Sequence, residues 1–253
     1  MKDGGTGHSV DKSARRLDKY RAVHGKTDPD YHYKGLAIYA LTGLHEHVTE
    51  QILLYFQPGD SILELGAGSG AMSLRLIELG FQVTAVDILA ESFDRHGTIP
   101  FKAIDLNGSF SQEFTAHFDG IVAVEIVEHL ENPWNFLREC RNLLSPGGRL
   151  LMTTPNVDNP VSKALFVRQG SFMWFNDYNY ETDGHITPIT QWQLYKIISE
   201  HGMKVVSITS FGDPYVSAKK EWKKLYILAK GIEKLYNKKN ALLGEILVLV
   251  LSV

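Results

Sequence analysis

Cysteine is nearly absent from this chain: Cys140 stands alone among 253 residues. A single cysteine excludes an intramolecular disulfide and fits a reducing compartment such as the cytoplasm. Its surroundings, "FLRECRNLL", mark it as a small buried hydrophobe on a helix. Long apolar runs are missing as well. The longest, "EILVLVLSV" at 245–253, is far too short to span a bilayer. The opening stretch "MKDGGTGHSVDKSARR" lacks an apolar region, so it does not read as a secretory signal. There is no internal repeat and no low-complexity segment. Nor does the overall charge lean far: a formal −3 points to no class of partner by itself. What is present, 44% hydrophobic residues, suffices for one full core, as one domain or one domain plus an insertion.

The hydrophobic pattern alternates between strand and helix periods. "SILEL" (61–65) follows the turn signal "QPGD" and precedes a glycine-rich turn and the helical spacing of "SLRLIEL". "QVTAVD" then pairs with a helix over "ILAESFDR", and "IPFKAID" with a helix over "FSQEFTAHF". "DGIVAVE" leads to "NPWNFLRECRNLL", where Asn132 is the candidate N-cap and Pro133 the first helical residue. "PGGRLLMTT" opens on a Pro-Gly-Gly turn and reads as a fifth strand. Next come a helix in "ITPITQWQLYKIISEHG", closed by Gly202, and a strand in "MKVVSITSF". The Val-rich terminus suits a final central strand, inserted between the fifth and sixth. This alternation predicts an α/β fold with a mostly parallel seven-stranded sheet, helices on both faces and an antiparallel C-terminal strand. Its ligand crevice belongs at the carboxyl ends of the central strands.

The turn "ELGAGSGAM" puts Gly66, Gly68 and Gly70 between a strand and a helix, where backbone must approach a ligand. Asp87 ends the second strand about 20 residues on, where a ribose diol would find its acceptor. This pair alone does not separate a nicotinamide cofactor from an adenosyl one. Glu64 does. A dinucleotide brings a pyrophosphate to the helix N-terminus, where an adjacent carboxylate repels it. A cofactor carrying an ammonium and a sulfonium is attracted instead. Asp105 offers an acceptor to an adenine amino group, or else serves as a solvated helix N-cap.

The blocks "ILELGAGSGAMSLRLIELGFQVTAVDI", "FKAIDLN", "FDGIVAVEIVEHLENP" and "NLLSPGGRLLMTTPN" resemble, in order and spacing, class I S-adenosylmethionine-dependent methyltransferases. Within that broad group they are similar to the ubiquinone-pathway O-methyltransferases. "GHITPITQWQLYKIISEHGM" extends the resemblance to residue 203. It implies a methyltransferase domain over 61–253, behind an N-terminal helical cap over 1–60, with S-adenosylmethionine as cofactor. It also implies the cofactor contacts: Glu64 at the methionine end, Gly66, Ala67, Gly68 and Gly70 against it, and Asp87 at the ribose. Ile88, Asp105 and Leu106 would meet the adenine, and Glu125 would line the methyl-donor site.

In "VAVEIVEHLENP", Glu125, Glu128 and His129 are spaced i, i+3 and i+4, so a helical turn would put them on one face. Three readings stay open. In the small-RNA and ubiquinone-pathway methyltransferases that this block resembles, such residues hold a divalent metal. Glu125, Glu128 and His129, with His185 of "TDGHITP", would be the ligands here, for magnesium, manganese, zinc or iron. Alternatively His129 is a catalytic base oriented by Glu128, with Glu125 at the cofactor. The third reading makes Glu128 and His129 polar groups at a helix start.

Two segments look added to this core. Residues 155–187 are too long for an ordinary connection and read as a lid or acceptor insertion. Phe166, Phe172, Trp174, Phe175, Tyr178 and Tyr180 crowd it, as an acceptor pocket or as a satellite core. Residues 219–239 carry eight lysines against two glutamates, and apolar residues from Trp222 to Tyr236 recur at helical spacing. This basic amphipathic helix either contacts an anionic membrane peripherally or docks on the sheet with snorkelling lysines. Taking its +6 from the total of −3 leaves −9 elsewhere, which argues against a broad nucleic-acid groove. At the N-terminal end, Tyr31, His32 and Tyr33 are within reach of an acceptor or lie on the surface. Blocks such as "TTPNVDNPVS" and "ETDGHITPI" resemble those of chains acting on small molecules or surface glycans. The functional expectation is therefore O-methylation of such an acceptor. The alternatives are an RNA 2′-O-methyltransferase, a non-catalytic adenosyl-binding module and a nicotinamide-linked oxidoreductase.

Overall fold

A computed structural model describes residues 31–94, 97–216, 223–236 and 241–253. A tight hairpin comes first, β1 (His32–Tyr33) against β2 (Leu36–Ala37). Lys34 and Gly35 both take positive φ at its turn, as the twist of a two-residue hairpin requires. Helix α1 (Leu44–Tyr55) follows. In its described part, then, the N-terminal segment carries a hairpin beside a helix, while the rest of the expected helical cap lies outside the described residues.

The main sheet has seven strands: β3 (Ser61–Leu65), β4 (Gln82–Asp87), β5 (Phe101–Ala103), β6 (Phe118–Ala123), β7 (Leu144–Pro155), β8 (Lys204–Phe211) and β9 (Ile246–Ser252). Their spatial order is β5-β4-β3-β6-β7-β9-β8. The pairs β5-β4, β4-β3, β3-β6 and β6-β7 are parallel, and β9 runs antiparallel to β7 and β8. The chain builds outward from β3 to β5, then returns to build outward from β6. That reversal opens a crevice between the carboxyl ends of β3 and β6.

The terminal run is apolar without interruption because β9 is covered on both sides. Leu247, Leu249 and Leu251 enter one hydrophobic core, while Ile246, Val248 and Val250 enter the other. Each such fully buried side chain contributes about 1.5–3 kcal/mol. One core lies beneath α1 and α2 (Ala71–Glu78). The other lies beneath α3 (Pro133–Leu143) and α6 (Gln191–Glu200), and Cys140 is wholly buried there. Asn132 caps α3 by accepting from the Asn135 amide, with Pro133 as the first helical residue. Among the described residues no helix is long and apolar enough to cross a membrane.

Two expected helices are not built. "ILAESFDR" yields only a single 3-10 turn at Ala90–Ser92 in its described part. There Ser92 Oγ bonds the Leu89 carbonyl, 2.7 Å away, and competes with helical backbone pairing. "FSQEFTAHF" gives a 3-10 turn at Phe110–Glu113 before β6 begins at Phe118. Glu139 of α3 fixes that turn by accepting from the Ser111 amide at 2.9 Å and its hydroxyl at 2.7 Å. Phe110 packs across to Phe136, so its burial is tertiary and not evidence of a helix face.

Candidate active site

A cavity of about 390 Å³ lies at the carboxyl ends of β3, β4 and β6. Its floor is the glycine turn. Gly66, Gly68 and Gly70 all have positive φ, and the Gly66 and Ala67 amides both donate to the Val86 carbonyl. A Cβ on Gly66 would fall 1.8 Å from Ile126 Cδ1, and one on Gly68 would fall 3.1 Å from the Tyr39 ring. The turn is therefore pressed between Ile126 and the N-terminal segment, and Ser69 Oγ bonds the Ala37 carbonyl at 2.6 Å.

Asp87 closes β4 and grips the same turn. Its Oδ2 accepts from the Gly68 amide at 2.8 Å and its Oδ1 from the Leu89 amide at 3.0 Å. Asp87, Ile88, Asp105 and Leu106 all line the cavity. Asp105 Oδ1 accepts from the backbone and side chain of Asn107, which fixes the loop after β5. Three other residues of the expected cofactor set, Glu64, Ala67 and Gly70, are not on the cavity wall. Gly70 serves instead as the left-handed N-cap of α2.

Glu125, Glu128 and His129 do not share one helical face. Glu125 sits at φ 54, outside the 3-10 turn Val127–His129. Its amide donates to Thr153 Oγ1 at 2.9 Å, and its Oε1 accepts from that hydroxyl at 2.7 Å. Glu128 Oε2 accepts from Thr154 Oγ1 at 3.0 Å. Thr153 and Thr154 are neighbours in an extended strand, so their side chains leave on opposite faces and each fixes one glutamate separately. Glu128 is wholly buried, and its Oε1 has no hydrogen-bond partner. Burial, and then the Glu125 charge, hold the Glu128 carboxyl well above the usual range; burial pushes Glu125 up to about 7.

The residues that do converge are Glu128, His129 and His185. One potential ligand atom from each lies within 4.8 Å of the others. His129 Nε2 is 3.9 Å from Glu128 Oε1, too far for a hydrogen bond. The His129 and His185 rings meet edge to face, with centroids 4.8 Å apart. His185 Nδ1 is 2.8 Å from the Trp174 carbonyl, which only accepts, so Nδ1 carries the proton. Burial lowers the His185 pKa, so its imidazole is neutral with Nε2 bare.

A family model described as a methyltransferase domain matches residues 39–208. The chain belongs to the class I S-adenosylmethionine-dependent methyltransferases. A ubiquinone biosynthesis O-methyltransferase of Xanthomonas campestris pv. campestris (strain B100) is 30% identical over 161 residues. The match spans 60% of this chain and 64% of that protein's length. The protein of the same name from Cereibacter sphaeroides (strain ATCC 17025 / ATH 2.4.3) is 28% identical over 178 residues, 64% of this chain and 70% of that one. Among solved structures, an Archaeoglobus fulgidus S-adenosylmethionine-dependent methyltransferase superposes with TM-score 0.59. It covers 83% of this chain and 94% of its own, at 18% identity, and so speaks for the fold alone.

In this methyltransferase the aromatic insertion is divided between two tasks. Trp174 and Tyr178, the latter on α5 (Asp177–Thr182), line the cavity, and Phe175 packs on His185. Phe166 and Phe172 stack on each other away from the cavity wall, and Tyr180 is exposed. A satellite core does exist, but aliphatic residues build it. Val161 and Ala164 of α4 (Pro160–Gln169) meet Leu225 and Ala229 of α7 (Lys223–Glu233), with Met173 and Tyr215 at its edge. The basic helix is docked in its described part, while Lys219, Lys220 and Trp222 lie outside the described residues. Of the N-terminal trio, Tyr31 reaches the cavity, and Tyr33 turns outward to Glu78. Tyr39, Ile126 and the paired threonines Thr153 and Thr154 shape the site without having stood out in the sequence. The "TT" ending the strand next to the one that leads to Glu125 and Glu128 is the signal that marks the threonines.

Glu64 gives the methyltransferase a measurable pH signature. It is buried beneath the turn, accepts from Ser73 Oγ, and burial raises its pKa from 4.5 to about 8. The unfolded chain thus ionises Glu64 first. Its stabilising share is complete below about pH 4.5, declines as pH rises, and is gone above about 8. Glu245, raised to about 7 chiefly by burial, adds to the same slope. Thermal melts of the cofactor-free protein should therefore fall between pH 5 and 8, and Glu64→Gln should flatten part of that decline. An unchanged slope in the variant would assign the titration to other groups.

Proposed function

We propose that this methyltransferase transfers a methyl group from S-adenosylmethionine to a hydroxyl of a small-molecule acceptor, with His129 taking the proton. The observation that carries the reading is the join of two half-sites in one cavity. Asp87, Ile88, Asp105 and Leu106 come from the loops after β4 and β5, and His129, His185 and Trp174 from the turn after β6 and the insertion; all line the one cavity. Gly66 and Gly68 line the cavity, and a side chain on either would meet Ile126 or Tyr39, so bare backbone faces the space there. That is a fit for a cofactor laid along the turn. Asp87 brings a carboxylate that suits a ribose diol, and Ile88 and Leu106 offer flat apolar contact to an adenine. The ubiquinone-pathway names of the relatives favour an acceptor hydroxyl.

S-adenosylmethionine supplies an electrophilic methyl carbon on a sulfonium. When bound, it would give up that methyl to the acceptor oxygen as its carbon–sulfur bond broke, and His129 would take the hydroxyl proton. His129 is the more apt base of the pair because its side chain is 32% exposed to the cavity, while burial weakens His185 as a base. Trp174 and Tyr178 exclude water and hold the acceptor for in-line attack, the main source of rate in such transfers.

One observation favours a second reading of the same cluster. The unpaired buried Glu128 Oε1, beside two imidazoles of which His185 is neutral, is a donor set that fits a divalent cation. Glu128, His129 and His185 would hold it, and a bound cation would orient the acceptor hydroxyl and lower its pKa. Glu125, committed to Thr153, falls outside that set.

Titration calorimetry and labelled methyl transfer test the main reading. S-adenosylmethionine should bind at micromolar levels and NAD not at all. Asp87→Ala should weaken binding by about 1–3 kcal/mol, through the lost acceptor and a loosened turn. Tight NAD binding without an S-adenosylmethionine signal would sink the proposal. Cofactor binding with no transfer to any of a broad hydroxyl panel would leave a binding module.

A further inference from the structure

Helix α7 is apolar on two faces, and the docked arrangement accounts for only one of them. Leu225, Ala229 and Ile232, spaced i, i+4, i+7, pack on α4. Ile227, Leu228 and the following Leu235 are left outside that contact, with Ile227 70% and Leu235 85% exposed. At the end of the helix pair away from Leu235, α4 adds Phe166 and Val167, the latter also 70% exposed, and Val216 beside Tyr215 is exposed as well. Monomeric soluble domains scatter single exposed apolar residues, but several large ones around one helix pair mark a contact surface. Lysines are interleaved with them. Lys223 and Lys224 precede Ile227 and Leu228 by one turn, and Lys230 and Lys234 follow. The lone acid among residues 223–236, Glu233, is already bonded to Lys230 and the Tyr215 hydroxyl.

We propose that the exposed face of α4 and α7 is a docking surface for an anionic lipid bilayer. Charge decides among occupants. A second copy related by two-fold symmetry would set these lysines against each other. A nucleic acid would satisfy the lysines but leave Ile227, Leu228 and Leu235 in water. A bilayer takes both: apolar side chains enter the acyl boundary while lysines meet anionic headgroups. The surface is joined to the cleft through adjacent residues, because Met173 packs into the α4–α7 core and Trp174 lines the cavity. A docked protein would thus hold its acceptor wall beside the membrane.

The test is co-sedimentation of the full chain with vesicles of phosphatidylcholine, alone or mixed with phosphatidylglycerol. Binding is expected to the mixed vesicles only, falling steeply with salt. Lys223→Gln, Lys224→Gln and Lys234→Gln together should weaken it on the order of a hundredfold, at about fivefold per lysine. Ile227→Ser with Leu235→Ser should abolish it. All these positions are exposed, so circular dichroism and S-adenosylmethionine binding should stay unchanged. That separates failure of this proposal from failure of the methyltransferase reading. Equal binding to neutral vesicles, binding to neither, or unimpaired variants would overturn it. So would a dimer in solution that Ile227→Ser dissolves, since a second copy would then cover the face.

Discussion

His129→Ala is expected to lower turnover by about 10²–10⁴-fold while leaving S-adenosylmethionine affinity unchanged, the span that loss of a positioned proton acceptor produces. The split follows from place. His129 comes from the turn after β6, whereas the residues assigned to ribose and adenine, Asp87, Ile88 and Leu106, come from the loops after β4 and β5. Calorimetry with S-adenosylmethionine and initial rates with an acceptor from the hydroxyl panel measure the two quantities separately. Two further arms distinguish base from metal. If His129 acts as the base, chelator leaves wild-type turnover intact, and His185→Ala, which removes a neutral neighbour, costs less than His129→Ala. If Glu128, His129 and His185 hold a cation, chelator abolishes turnover, added metal restores it, and the two histidine variants are equally impaired. A His129→Ala enzyme with wild-type turnover would leave the cluster a structural one.

The sheet and the cofactor end of the cavity were legible in the sequence because local rules decide them. A strand ending in Glu64-Leu65, three glycines and a helix form one continuous turn whose position needs no distant partner. The uninterrupted "ILVLVLS" was readable as β9 because only a strand covered on both faces tolerates such a run. The acceptor end was less legible because distant contacts decide it. Spacing suggested that Glu125, Glu128 and His129 share a face. A positive φ takes Glu125 out of the turn, and two threonines of β7, 28 and 26 residues downstream, fix Glu125 and Glu128 separately. The same limit applies to the missing helices at 88–94 and 110–118. Their apolar periodicity is real, but Phe110 is buried against Phe136 of α3 and Ser92 is bonded to Leu89. The aromatic insertion gave no sequence signal of its division, since whether Trp174 or Phe166 faces the cavity depends on how α4 packs on α7.

Gly66→Ala is expected to reduce S-adenosylmethionine affinity more than a hundredfold, with the fold retained by circular dichroism. Two independent costs combine at this position. At φ 77 an L side chain is strained by about 1–2 kcal/mol. The new Cβ would also stand 1.8 Å from Ile126 Cδ1 and 2.4 Å from Cγ1, an overpacking that typically costs about 1–3 kcal/mol. The turn can relieve both only by shifting backbone, and that backbone is the cavity floor. Its Gly66 and Ala67 amides hold the Val86 carbonyl and its Gly68 amide holds Asp87, so a shift also displaces the carboxylate assigned to the ribose. Ile126 lines the cavity next to Glu125, so the clash carries the disturbance across to the acceptor end. Adding Ile126→Ala to Gly66→Ala separates the two costs. It removes the overlap but not the strain at φ 77, so affinity should recover in part and stop short of the wild type. Full recovery would assign the whole effect to packing, and no recovery would assign it to the backbone alone. An unimpaired Gly66→Ala protein would show that the cofactor does not lie on this turn.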